Sequence, residues 1–183
     1  KSESELITRY RNVAAQPELA QAVDEIVNEA IAVDTDSEVV QIVLDDTDLP
    51  DKVKDRIIKE FEDILTLFDF SANSYDIFQR FYVDGRLNYH VIIDNDNLKE
   101  GIKELRYVDP RKLKLIREVD RKGKDEHSGI PVKKVKNEYY MYSENGFTSE
   151  ANTPNGSGTQ GFKIAKDSVA RVTSGLMNEN NSL

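Results

Sequence analysis

Hydrophobic positions in the first third of the chain recur at steps of three and four, the spacing of a helix that buries one face. Ser2 or Ser4 stands where a cap opens a first helix running to Ala15, and Pro17 suits the first turn of a second. In that second helix Leu19, Val23, Ile26, Val27, Ala30 and Ile31 form one stripe, with Asp24, Glu25, Asn28 and Glu29 opposite. The run 39-VVQIVL-44 breaks the period and is β-branched, which predicts a short strand. A long helix opens at 48-DLPD-51 and sets Val53, Ile57, Ile58, Phe61, Ile64, Leu65 and Phe68 on one face. The helices over 18–33 and 50–68 are expected to pair as the main core of residues 1–95.

A shorter helix follows from about Ala72 to Val83. Its Tyr75, Phe78, Phe81 and Tyr82 make an aromatic stripe, expected in a core rather than as a base-stacking platform. Asp84-Gly85 supplies a turn, and 86-RLNYHVIID-94 then alternates Leu87, Tyr89, Val91 and Ile93 against Asn88 and His90. Strand patterns continue at 102–108, 113–119, 132–143, 161–164 and 168–174, with Asp109-Pro110 turning the chain between the first two. The segment 144–161 is rich in Gly, Asn, Ser and Thr and reads as a long flexible surface loop. The fold class is α+β, a helical N-terminal part followed by an antiparallel β-rich part. Two units are expected. Residues 1–95 are mainly helical, with one short strand and a closing hairpin strand, and residues 96–183 are β-rich.

Charge sharpens this division. The chain of 183 residues carries −9, but residues 1–70 hold 18 acidic and 7 basic residues, whereas 99–137 hold 13 basic and 7 acidic. Opposed fields of −11 and +6 suit contact between unlike surfaces, within one chain or between copies; two solvated faces would show the same pattern. There is no cysteine, which excludes disulfides, thiolate zinc sites and iron–sulfur clusters. His90 and His127 are too few for a histidine-rich metal centre. No apolar run approaches the ~20 residues of a membrane span. Lys1 is no initiator, so a fragment or a processed chain is expected.

Motifs that imitate chemistry each lack a required residue. In 156-GSGTQGFK-163 the glycines have phosphate-loop spacing, but Phe162 stands where lysine must reach the phosphates. Acidic clusters at 34–38 and 94–97 lack the glycine an EF-hand requires at its sixth position, which falls on Val39 and Lys99. Asp109 and Lys112 lack the second carboxylate of a metal-dependent nuclease. No catalytic, cofactor-binding or metal-binding residue is assigned. A nucleic-acid-binding module using the basic 99–137 segment stays open, and so does a nuclease, although no aromatic residue interleaves 111-RKLKLIRE-118.

Four segments are more specific than any of these: 1-KSESELITRYRNVAAQPELAQAVDEIVNEAI-31, 75-YDIFQRFYVDGRLNYHVIID-94, 100-EGIKELRYVDPRKLKLIRE-118 and 171-RVTSGL-176. They closely resemble, in order, the portal vertex proteins of T-even-type tailed bacteriophages. The resemblance implies a non-enzymatic structural subunit of a ring, typically of twelve copies, at one capsid vertex. It implies roles in head assembly and DNA packaging and as head–tail connector, with capsid, terminase and neck proteins as partners. It places the protein in the virion, and in host cytoplasm during assembly. The segment resembles the wing-side portion of the subunit, with the channel-lining and clip regions beyond it. Double-stranded DNA would then pass through the full ring without touching these residues. No cofactor is expected.

A ring of head-to-tail copies needs two complementary faces on each subunit. The expected cations are Arg111, Lys112, Lys114, Arg117 and Arg121, clustered on one strand and its flanks. The expected opposing acids are Glu25, Glu29, Asp45, Asp46, Asp48 and Asp51.

Overall fold

Ser2 starts the first helix, α1 (Glu3–Ala14), with a reciprocal cap: its hydroxyl accepts from the Glu5 amide, and its own amide donates to the Glu5 carboxylate. Helix α2 (Pro17–Ile31) opens on its proline, whose missing N–H costs nothing in a first turn. Helices α3 (Asp51–Leu67) and α4 (Phe70–Asp84) are joined through Asp69, held left-handed at φ 45°, a conformation that aspartate tolerates better than most residues. The computed structural model describes residues 2–32, 39–124, 131–147 and 161–175, with 119–124 and 131–134 described by backbone alone.

Six strands follow: β1 (Arg86–Ile93), β2 (Ile102–Tyr107), β3 (Leu113–Lys124), β4 (Pro131–Tyr142), β5 (Phe162–Ala165) and β6 (Val169–Thr173). They form two antiparallel three-stranded sheets, ordered β2-β1-β6 and β3-β4-β5. The chain is therefore α+β. Gly85, at φ 68°, ends α4 and turns directly into β1. Strand β1 is the middle strand of its sheet, between partners that lie later in sequence.

One face of that first sheet carries Leu87, Tyr89 and Val91 and receives the helices. Phe68 at the end of α3 meets Tyr89 edge-on at 4.8 Å, and Arg80 of α4 lies 4.6 Å over the Tyr107 ring. The opposite face meets the second sheet. There Val108 and Val169 pack with Leu113 and Tyr140, flanked by Leu115, Tyr142 and Ile164. On that same face Glu3 of α1 holds Arg86 and Arg171, and Asn88 between them, expected on an open polar face, is buried with only 2 % exposure.

Three further expectations are overturned. Residues 39–44 form no strand; they run as bend and irregular chain, with Val43 64 % exposed, because among the described residues no partner strand lies alongside to complete a ladder. Helices α2 and α3 do not form a shared core, since α2 packs on α4. Helix α3 buries none of its stripe fully; Val53, Ile58 and Ile64 stay exposed, and Phe61 is half-buried. Of the 144–161 segment expected as a loop, residues 148–160 lie outside the described residues. Its first residues are docked: the Phe147 amide donates to the Arg111 carbonyl at 3.1 Å.

Candidate subunit interface

The expected cations lie on β3 and the turn before it. Asp109 caps that turn, accepting from the Arg111 amide at 2.9 Å, and its carboxylate also holds the Arg111 guanidinium at 2.9 and 3.1 Å. Lys112 lies 3.5 Å from Glu144. On β3, alternation sends Lys114 to the face opposite the core, where its ammonium sits 6.0 Å over the Phe147 ring. Arg117 points the other way and donates to Glu138 at 2.7 Å. Lys166 binds the second oxygen of the same carboxylate. Those contacts from Lys166 and then Arg117 lower the Glu138 pKa below its ordinary value. Arg121 has its backbone placed on β3.

The expected acids lie elsewhere. Glu25 and Glu29 are exposed on α2, and Asp45, Asp46, Asp48 and Asp51 are exposed on the approach to α3. Among the described residues no ion pair joins any of these six to the cations above. The structure brings Arg111, Lys112 and Arg117 to acids of their own neighbourhood and leaves the six expected acids exposed. No group of three or more acidic or histidine side chains converges as a metal site would, among the described residues. Likewise no described helix is long and apolar enough to cross a membrane.

The sequence matches the model of the bacteriophage T4-like portal protein (Gp20) family over residues 3–183. The chain belongs to that family. It is 38 % identical over 175 residues to the portal protein of Vibrio phage KVP40, covering 94 % of this chain and 33 % of that relative. It is 35 % identical over 153 residues to the portal protein of Salmonella phage ViI, covering 81 % of this chain and 27 % of that relative. The chain therefore spans one third or less of the curated portal proteins it matches. Two segments that carry the portal resemblance are junctions between elements: 82-YVDGRLNYH-90 runs from α4 through Gly85 into β1, and 100-EGIKELRYVDPRK-112 spans β2 and the turn that joins the sheets.

Charge patterning missed the polar groups that hold this portal segment together. Arg11 on α1 binds Asp84 at the end of α4 through two nitrogens, at 2.8 and 2.6 Å, and reaches Asp109 with a third at 2.9 Å. The Asp84 hydrogen bonds raise the Arg11 pKa against the opposing effect of burial. Burial alone would raise the Asp109 carboxyl, but hydrogen bonds from Arg111 and Arg11 outweigh it and hold it well below the ordinary carboxylate range. Nearby, Glu3 is flanked by Arg86 and Arg171. Asp84 and Asp109 each precede a turn residue, Gly85 and Pro110, so local sequence explains both as turn formers and gives no sign of a distant arginine.

Proposed function

We propose that the chain is part of a structural subunit of the phage-head portal, a ring at one capsid vertex through which DNA is packaged and to which the neck attaches. The family match across residues 3–183 carries this reading. The geometry agrees with a scaffold: ion pairs such as Arg11–Asp84 tie distant elements together. Head assembly, terminase docking, the virion location and the number of copies belong to this proposal, which concerns a longer protein than this segment.

Contact between copies, in this reading, uses the acidic helical part and the basic β-rich part as unlike faces. The uncovered Glu25, Glu29, Asp45, Asp46, Asp48 and Asp51 support it, as does Lys114, which is exposed and has no described carboxylate partner. Arg111, Lys112 and Arg117 are engaged within the chain and contribute less. Exposed pairs are individually weak, so the faces act through orientation and rate of encounter. Electron microscopy of the full-length subunit tests the ring. Closed particles of cyclic symmetry are expected, and a preparation that stays monomeric under all assembly conditions would refute it.

A further inference from the structure

The β3–β4 hairpin is longer than the sheet it belongs to. Strand β5 pairs only with Tyr139–Tyr142, so residues 117–124 and 131–138 continue as a two-stranded ribbon. Eight residues per strand give it a reach of about 25 Å. Among the described residues no third strand pairs with it, and the turn at Lys166 meets its base at Glu138. Lys136 and Asn137 are exposed, and Val135 is 46 % exposed. An isolated two-stranded ribbon is marginal in water and gains by lying on another surface. Its composition states the sign of that surface: seven Lys and Arg against three carboxylates in those sixteen positions.

Helix α2 offers the opposite. It carries Glu18, Asp24, Glu25 and Glu29 and no cation. Glu18, Glu25 and Glu29, at i, i+7 and i+11, share one face, and all three are exposed. Fifteen residues make this helix about 22 Å long, close to the free length of the ribbon. We infer that the β3–β4 ribbon of one copy lies along the acidic face of α2 in the next copy. This rests on the ring reading above and assigns the elements that make its contact. Ribbon and helix are different surfaces of one chain, so the contact is heterologous and propagates around a ring. Nucleic acid is the weaker partner for the ribbon, because the chain as a whole carries −9 and three acids interrupt the ribbon's cations.

The test uses the full-length subunit. Reversing Arg121→Glu, Lys133→Glu and Lys136→Glu together should slow ring formation about tenfold at ~10 mM ionic strength. The slowing should shrink at ~0.15 M, where screening is stronger. Glu18→Lys, Glu25→Lys and Glu29→Lys should slow it similarly, and combining both sets should restore most of the parental rate. A Lys136→Cys, Glu25→Cys pair in an otherwise cysteine-free subunit should oxidise into a ladder of multimers, which decides the matter if a reversal variant fails to fold. Ribbon variants that assemble at the parental rate in low salt overturn the inference while leaving the ring intact. Absence of both rescue and ladder overturns it too, as does a ribbon reversal whose sole effect is lost DNA retention. A parental subunit that forms no ring refutes the portal-ring reading instead.

Discussion

Arg11 grips Asp84 with a two-pronged contact, Nε at 2.8 Å and Nη2 at 2.6 Å, although 73 residues separate them in sequence. Asp84 is 2 % exposed, and Arg11 is its one described side-chain partner, so the guanidinium is what makes a buried carboxylate tolerable there. The same side chain reaches Asp109 and so fastens α1 to both α4 and the turn between the sheets.

Removing that partner should be costly. Arg11→Met leaves Asp84 buried and unpaired, with an expected loss of about 3 kcal/mol in a denaturant melt. Arg11→Lys should recover only part of it, since an ammonium cannot reproduce the parallel fork. A loss below about 1 kcal/mol for Arg11→Met would show that Asp84 finds water or another donor.

Acid should loosen the same joint through Asp109. Its folded pKa lies below that of the unfolded chain, so its contribution is present above the ordinary carboxylate pKa near ~3.9. The contribution is lost as pH falls from there through the depressed folded value. Asp109→Asn should therefore flatten the acid limb of stability against pH relative to the parent. An unchanged limb below about pH 4 would remove Asp109 from the account.

The two apolar patterns of the helical part should respond differently to truncation. Ile7 is fully buried, and Ile7→Ala is expected to cost about 3 kcal/mol. Phe61 is half-buried on α3, so Phe61→Ala should cost only about 1 kcal/mol in this chain alone, less than burial of its whole ring would imply. Urea melts of both variants decide this; equal losses would mean that α3 is packed more fully than its exposure indicates.

Gly161 tests the seam between β4 and β5. A Cβ there would lie 2.6 Å from the Tyr142 carbonyl oxygen, a backbone atom with little room to move. Gly161→Ala should destabilise by about 1–3 kcal/mol and weaken amide protection along Phe162–Ala165. Gly101→Ala meets no atom within 4 Å and tests only its positive φ of 73°, so it should leave β5 protection unchanged.

Period and turn chemistry were enough to place α1 to α4, the strands from β1 onward and the α+β class, because a repeat of three and four or of two is local information. The portal family was legible as well, in segments that coincide with the joints at Gly85 and Pro110. Charge order along the chain separated an acidic helical part from a basic strand. What periodicity cannot carry is the identity of the surface opposite each stripe. Residues 39–44 have strand composition but no ladder partner among the described residues, so they stay irregular. The α3 stripe has helical period but little to pack against among the described residues, while α2, with a similar stripe, packs on α4. Asn88 alternates like a surface residue yet is buried, because its face lies inside the fold beside Arg86 and Arg171, which Glu3 of α1 holds. Arg11 shows the same limit in polar form: its partners at 84 and 109 are chosen by where α1 lies, and the energy that makes the buried pair tolerable exists only once three distant segments meet.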